Sequence, residues 1–119
     1  MGGCEKTNER VVNTGSVYVV DGDTIKIGGE SIRLMGFDTP ETYRAKCNAE
    51  KAWGDRATRR VRALLASVQT ITLQVNPRKD KYGRSLATLF VGGRDIGPIL
   101  IGEGLAREYH GGRRQGWCR

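Results

Sequence analysis

The chain reads SVYVVDGDTIKIGGESIRLM between residues 16 and 35, and this stretch sets the fold class of the 119-residue protein. Hydrophobic and polar residues alternate in three short runs, which is the pattern of half-buried β-strands. The runs are separated by Asp21-Gly22 and Gly28-Gly29, and both dipeptides are typical of tight hairpin turns. We therefore predict a three-stranded antiparallel meander. Its strands are predicted at residues 16–20, 24–27 and 31–35.

After this meander the hydrophobic period changes. Residues 49–65 carry apolar side chains at helical spacing and predict an amphipathic helix. Two further alternating runs, 70–75 and 85–91, predict a fourth and a fifth strand. Asp95 is a typical N-cap for a short second helix that Gly104 closes. The order β-β-β-α-β-β-α predicts an α+β, mainly β domain, built as a five-stranded OB-fold barrel.

One domain accounts for the chain, because 119 residues is the size of a single hydrophobic core. Residues 1–13 are polar and lack a periodic pattern, so we interpret them as a flexible arm or a non-native remnant. The predicted domain spans residues 14–119 and ends in a short tail rich in Gly and Arg. The sequence offers neither a transmembrane run nor the apolar segment of a signal peptide. We expect a monomer that has no membrane partner.

The charge balance predicts an anionic partner. Lys and Arg total 20 against 13 Asp and Glu, which gives a net charge of +7. Nucleic acid is the first expectation for so basic a small domain, and a merely soluble basic protein is the alternative. The three cysteines, Cys4, Cys47 and Cys118, lack the spacing of a zinc site. They allow one disulfide with a free thiol, or three free thiols.

Four acidic residues are predicted to share one end of this basic protein. Asp21 and Asp23 lie at the first hairpin, and Asp38 and Glu41 follow the third strand. Antiparallel pairing of strands two and three brings Asp23 near Asp38. Crowded carboxylates repel each other unless a cation compensates, and oxygen ligands suit Ca²⁺ or Mg²⁺. As alternatives, Asp-Gly is a common turn, and Asp38-Thr-Pro-Glu41 is a typical helix start.

Two arginines complete this constellation. Arg33 lies in mid-strand five residues before Asp38, and Arg84 ends a turn that opens the fifth strand. Guanidinium groups bind phosphate bidentately and stabilise the charge of a phosphoryl-transfer transition state. The alternatives are a solvent-facing Arg33 and an ordinary turn residue at Arg84. Acids and arginines together predict a phosphodiesterase.

Three segments closely resemble the signature segments of the thermonuclease family, whose type member is staphylococcal nuclease. They are VDGDT at 20–24, RLMGFDTPE at 33–41 and DKYGR at 80–84, and they occur in the family's order. The resemblance covers about residues 15–110. It implies an OB-fold nuclease that hydrolyses DNA and RNA endonucleolytically with Ca²⁺ and leaves 3′-phosphates.

The resemblance also implies a role for each acidic position. Asp23 and Asp38 would bind Ca²⁺ through their carboxylates, and Thr39 would bind it through its carbonyl. Asp21 would lie near the ion without binding it directly. Glu41 would accept a proton from the attacking water or orient that water.

The remaining residues implied by the resemblance contact the substrate. Arg33 and Arg84 would bind the scissile phosphate and stabilise its charge. Tyr82 would lie near the phosphate at the nucleotide end, Lys81 would add a phosphate contact, and Tyr109 would contact a nucleotide. Single-stranded DNA, RNA and duplex DNA are all expected as substrates, because these groups address the backbone rather than base edges.

The C-terminal end departs from the family pattern. The type member continues with another helix, whereas this chain ends in GGRRQGWCR at 111–119 and resembles a bacterial branch that ends in Trp-Cys. We hypothesise that a Cys47–Cys118 disulfide pins the tail to the barrel; two unrelated thiols are the alternative. A disulfide implies an oxidising compartment. The expected location is exported or periplasmic with the disulfide, and cytoplasmic without it.

A catalytically inactive nucleic-acid-binding OB module is the alternative function. Thermonuclease-like domains occur in RNA-binding scaffold proteins, often with acids or arginines lost. This chain retains all five such residues, namely Asp23, Arg33, Asp38, Glu41 and Arg84. A third reading, an oligosaccharide-binding OB domain, needs aromatic platforms, but aromatic residues make up only 7% of the chain.

Overall fold

A computed structural model describes residues 8–118 of the chain. Within these residues it contains nine strands, two α-helices and one 3₁₀ turn at Thr14–Ser16. The strands are β1 Asn8–Asn13, β2 Val17–Asp21, β3 Thr24–Ile27, β4 Glu30–Leu34, β5 Gly36–Asp38, β6 Thr70–Lys79, β7 Ser85–Val91, β8 Arg94–Asp95 and β9 Arg107–Tyr109. The helices are α1 Asn48–Ala66 and α2 Ile96–Gly102.

Seven of the strands form one sheet that curls into a half-barrel, in the order β1-β6-β7-β4-β3-β2 with β8 beside β7. The pairing is antiparallel except between β4 and β7, which run parallel. Strands β5 and β9 form a separate antiparallel pair. The predicted α+β, mainly β fold of the OB type is confirmed. The five predicted strands correspond to β2, β3, β4, β6 and β7.

The N-terminal prediction is wrong for residues 8–13. These residues form β1, which pairs with β6 from Asn8↔Val75 to Asn13↔Thr70. Val12 is the only hydrophobic residue of this edge strand that packs against the core. Strand β1 is therefore held mainly by its backbone hydrogen bonds to β6, and its sequence lacks a hydrophobic period that would predict a strand. The rest of the predicted arm, residues 1–7, lies outside the described residues.

The prediction also missed three short strands and placed the end of β6 too early. Strands β5, β8 and β9 contain two or three residues each, which is too short for a periodic signal. Strand β6 continues past its predicted end at residue 75 to Lys79, with an irregular register after Val75. This irregularity accommodates Pro77, which cannot donate to a regular ladder.

The core lies between the curled sheet and helix α1. Ala57, Val61 and Leu65 recur every four residues and form the buried face of α1, as its apolar spacing predicted. They pack with fully buried side chains of the sheet. These include Ile25, Ile32, Leu34, Ile71, Leu73 and Leu89.

The C-terminal tail is fixed to the domain by a disulfide between Cys47 and Cys118, whose Cα atoms lie 6.2 Å apart. Beside it, Trp117 is buried and meets Trp53 edge-to-face, with ring centroids 4.6 Å apart. The Arg107 guanidinium stacks over the Trp117 ring at 3.7 Å. The pairing hypothesised from the sequence is thus present, and the tail returns to the start of α1. No helix within residues 8–118 has both the length and the apolar character that crossing a membrane requires.

Candidate active site

The β3–β4 hairpin and the chain that follows it bring two acids together around one arginine. The backbone N–H of Leu34 donates to the Asp23 carbonyl at 2.8 Å, which places the start of β3 beside the end of β4. Arg33 Nη1 lies 3.6 Å from Asp23 Oδ2, and its Nη2 lies 3.6 Å from Asp38 Oδ1. The predicted proximity of Asp23 and Asp38 therefore holds, and Arg33 faces the same pocket.

The Arg33 side chain is held rigidly in this position. Its Nη1 donates to the Leu34 carbonyl at 2.8 Å and to the Phe37 carbonyl at 3.1 Å. A turn at Gly36, with a φ of 94°, makes this close approach of the chain possible. One edge of the guanidinium is thus fixed to the protein.

Asp23 also organises the segment after β5. Its Oδ2 accepts the Thr39 N–H at 3.1 Å, and its Oδ1 accepts the Thr24 hydroxyl at 3.1 Å. Asp21 lies at the end of β2 and accepts a hydrogen bond from the Thr42 hydroxyl. The structure therefore places Asp21 beside the pocket, with its side chain directed to the following loop.

Burial raises the pKa of two of these acids. The pKa of Asp38 is raised mainly by loss of hydration and further by Asp23, against Arg114 and Arg33, which lower it. Burial likewise raises the pKa of Asp21, with repulsion from Asp23 adding to it and the Thr42 hydrogen bond opposing it. Both groups would gain from a cation placed among them.

Arg114, in the C-terminal tail, is a residue of this site that the sequence analysis missed. Its Nη2 lies 2.7 Å from Asp38 Oδ1, and its Nη1 donates to Glu41 Oε2 at 2.7 Å. Burial opposes its charge, but these two partners outweigh that effect and raise the Arg114 pKa. No local pattern in the tail marked Arg114, because its place depends on contacts far along the chain.

Glu41 is positioned by helix α1. The buried Glu50 carboxylate accepts the Glu41 N–H at 3.0 Å and the Lys46 N–H at 2.9 Å. Gly54, one turn further on, packs so tightly that a Cβ there would lie 2.6 Å from the Glu41 carbonyl oxygen. The Cys47-x-x-Glu50 spacing, which places an acid in the first turn, was the available signal for Glu50.

Arg84 immediately precedes β7, which pairs with the strand that carries Arg33. Asp80 holds it: Oδ2 accepts Arg84 Nε at 2.7 Å, and Oδ1 accepts the N–H groups of Tyr82 and Arg84. The Arg84 guanidinium lies 5.6 Å from the Tyr82 ring centroid, and Lys81 Nζ lies 5.4 Å from it. These three predicted substrate residues form one cluster, and Arg84 forms its ion pair with Asp80 rather than with the acids around Arg33.

Tyr109 is brought to the site by the β5–β9 pair, in which it lies opposite Gly36. Its ring centroid is 5.7 Å from the Arg33 guanidinium, and its hydroxyl donates to the Gly112 carbonyl at 2.6 Å. The predicted nucleotide-contacting position therefore borders the pocket. It also helps to hold the tail.

A basic groove of about 470 Å³ opens beside Thr42. The exposed ring of Tyr43 lies on it, together with Lys51, Asp55, Arg59 and Arg62 from α1, so that three cations against one carboxylate give it a net positive charge. A groove with this charge is suited to a phosphate backbone.

The residues of the pocket fit a hard divalent cation. Asp38 Oδ1 is buried and, among residues 8–118, receives no hydrogen bond of acceptable geometry, although Arg114 contacts it as an ion pair. The carboxylates of Asp23 and Asp38 and the carbonyl of Thr39 form an all-oxygen donor set. Such oxygens are the ligands of Ca²⁺ and Mg²⁺.

Comparison with known proteins agrees with this geometry. The family model described as "Staphylococcal nuclease homologue" matches residues 31–116. The endonuclease YncB of Bacillus subtilis is 34% identical over 107 residues, which is 86% of this chain and 50% of that protein. The thermonuclease of Staphylococcus intermedius is 38% identical over 94 residues, which is 75% of this chain and 55% of that protein. The chain thus spans about half the length of these relatives.

Proposed function

Because the chain belongs to the family of staphylococcal nuclease homologues, we propose that it is a calcium-dependent, sugar-non-specific endonuclease. It hydrolyses phosphodiester bonds of DNA and RNA and leaves 3′-phosphate products. The observation that carries this proposal is the convergence of Asp23 and Asp38 on the fixed guanidinium of Arg33, with Glu41 at the same pocket.

The acids and one carbonyl supply the metal site of the proposal. Asp23, Asp38 and the Thr39 carbonyl would hold Ca²⁺, and Asp21 would add negative charge nearby. The ion would supply polarisation of the phosphoryl oxygen and easier ionisation of water. The raised pKa of Asp38 supports this assignment, since a carboxyl that is costly to ionise alone gains most from a cation.

The chain's own residues perform the remaining chemistry. Glu41 takes a proton from the attacking water, whose oxygen forms the new bond to phosphorus as the bond to the 5′ oxygen breaks. The departing 5′ oxygen takes a proton from solvent and leaves as a hydroxyl. Arg33 and Arg84 hold the non-bridging oxygens and stabilise the added charge. Arg33 is already fixed by backbone carbonyls, so it need not reorganise during the reaction.

Substrate recognition is proposed to depend on the phosphate backbone. Tyr82 is 73% exposed beside Arg84 and Lys81, so its ring is available to a nucleotide. Tyr109 borders the other side of the pocket. Because these contacts address charge and stacking rather than base edges, binding weakens as salt rises and shows little sequence preference.

We also propose that the protein acts as a monomer in an oxidising compartment. The disulfide between Cys47 and Cys118 supports this location, because such bonds persist outside the reducing cytosol. An exported or periplasmic nuclease fits that setting.

The test is a digest of single-stranded DNA, duplex DNA and RNA with Ca²⁺, Mg²⁺ or EDTA, with the product ends identified. Glu41→Gln and Arg84→Ala should each lower kcat about 100-fold or more while the fold is retained. Arg94→Ala, at an exposed position of the short strand β8, is the matched loss of one basic charge and should leave the rate unchanged. Salt-sensitive binding without cleavage would instead support the nucleic-acid-binding module.

A further inference from the structure

The segment between β9 and the disulfide lies across the candidate active site. It is held at several points: the Tyr109 hydroxyl donates to the Gly112 carbonyl at 2.6 Å, and Arg107 Nη1 donates to the Gly116 carbonyl at 2.8 Å. Burial of Trp117 and the bond to Cys118 fix its far end. The six residues 111–116 are exposed, so the segment is anchored by its ends rather than by a core of its own.

Arg114 extends from this segment onto the oxygens of the pocket. Its Nη2 lies 2.7 Å from Asp38 Oδ1 and 3.4 Å from the Thr39 carbonyl oxygen, and its Nη1 lies 2.7 Å from Glu41 Oε2. Asp38 and Thr39 are two of the three residues proposed to hold Ca²⁺. The guanidinium therefore occupies the positions from which a divalent cation would bind these oxygens.

We propose that Arg114 is an internal cation that competes with the divalent metal for Asp38 and Thr39, and so sets the metal affinity of the site. The inference rests on the proposed metal site. A guanidinium and a hard cation use the same oxygen lone pairs at short distance, so Ca²⁺ binds these oxygens fully only when Arg114 moves away.

The anchoring of the tail strengthens this competition. A tethered group acts at an effective concentration that a free guanidinium could not reach. Displacement is nevertheless possible, because the Arg114 side chain is 39% exposed and can turn into solvent. The neighbouring Arg113 forms no ion pair with any residue in 8–118, although it lines the same face near Asp38.

This difference makes Arg113 a matched control. We would measure the Ca²⁺ dissociation constant by titration calorimetry, without nucleic acid, for the wild type and for Arg114→Gln, Arg113→Gln and Asp38→Asn. Arg114→Gln should bind Ca²⁺ about tenfold more tightly than Arg113→Gln, the effect of losing one charge-assisted contact that opposes the metal. Asp38→Asn should abolish binding.

The outcomes separate this inference from the proposed function. Equal affinity in the two arginine variants, with binding still dependent on Asp38, would overturn the competition and leave the metal site standing. No Ca²⁺ binding in the wild type or in Arg114→Gln would overturn both.

A second measurement is thermal unfolding, first in EDTA and then with Ca²⁺. In EDTA, Arg114→Gln should unfold at a lower temperature than Arg113→Gln, because Asp38 and Glu41 lose the cation that lies 2.7 Å from each of them, although Arg33 remains. Added Ca²⁺ should then raise the unfolding midpoint of Arg114→Gln more than that of Arg113→Gln. Equal midpoints in EDTA would count against Arg114 as that cation. Replacing both Cys47 and Cys118 by Ser releases the tail while keeping Arg114, and it should also tighten Ca²⁺ binding relative to the wild type.

Discussion

Glu50→Gln should destabilise the protein and misplace Glu41, although Glu50 lies outside the pocket and its replacement is nearly isosteric. Glu50 is 4% exposed, and its carboxylate accepts two backbone hydrogen bonds, from Glu41 N at 3.0 Å and from Lys46 N at 2.9 Å. Glutamine has one acceptor oxygen, so its amide group must face one of these two N–H donors. One buried N–H then loses its partner.

The size of the effect follows from these two bonds. A hydrogen bond to a charged group contributes about 1.5–3 kcal/mol, so losing one should lower the free energy of unfolding by about 2 kcal/mol. At about 4 °C per kcal/mol for a domain of this size, the unfolding midpoint should fall by roughly 8 °C. Glu50→Ala removes both acceptors and should cost about twice as much.

Urea unfolding and steady-state cleavage together test this reasoning. The rate should fall through kcat more than through KM, since the backbone of Glu41 moves while the phosphate-binding arginines stay in place. Asp55→Asn is the matched control on the same helix, because its carboxylate pairs with Lys51 at the surface and should contribute less than about 1 kcal/mol. If Glu50→Gln and Asp55→Asn unfolded at the same urea concentration with equal kcat, the reasoning would be refuted.

Three further perturbations should act on the same site. Gly54→Ala should cost about 1–3 kcal/mol in urea unfolding and also lower kcat, because the new Cβ would lie 2.6 Å from the Glu41 carbonyl oxygen. Asp80→Ala should lower kcat by releasing Arg84, whose Nε it binds at 2.7 Å, and in steady-state cleavage it should have little further effect once Arg84 is itself replaced by Ala. Ca²⁺ affinity, followed by calorimetry, should fall with decreasing pH at values above 3.8, because burial raises the pKa of Asp38 and Ca²⁺ binds the ionised form.

The sign of the pH effect on the metal-free protein is opposite. A carboxyl whose folded-state pKa is raised costs stability while it is ionised, and that cost is relieved as the pH falls through the raised value. In EDTA, the unfolding midpoint should therefore rise through the contribution of Asp38 as the pH falls through the raised pKa of that residue. This is the same pH range in which Ca²⁺ affinity declines.

The control for Gly54→Ala is Gly102→Ala in helix α2, because open space surrounds the Cβ position of Gly102.

The part of the pocket formed by Asp23, Arg33 and Asp38 could be predicted because it depends on the pairing of neighbouring strands. The two-residue turn at Gly28-Gly29 fixes the register of the β3–β4 hairpin, and this register places Asp23 beside the end of β4. Arg33 then faces the acids because side chains alternate along a strand. Sequence spacing therefore carried the information for Asp23, Arg33 and Asp38.

The contacts that Arg114 and Glu50 make with Glu41 could not be predicted, because they join distant parts of the chain or depend on the path of a loop. Arg114 reaches Glu41 across 73 residues, and this contact exists because β9 pairs with β5 and the disulfide holds the tail. Glu50 has a recognisable position in the first turn of α1, but its partners are set by the path of the loop before the helix. Hydrophobic periodicity and local secondary-structure propensity give no information about such contacts.

The disulfide between Cys47 and Cys118 also gives the protein two parts that differ in how they are covalently connected. Residues 47–118 form a closed macrocycle, and the preceding segment is an open branch attached to it. Asp23, Arg33 and Asp38 belong to the branch, whereas Arg84 belongs to the macrocycle. A protease cut in the exposed turn at 81–83 would therefore linearise the macrocycle without dividing the protein in two. Only reduction of the sulfur bridge would then release the fragment carrying Arg84 from the fragment carrying the acids.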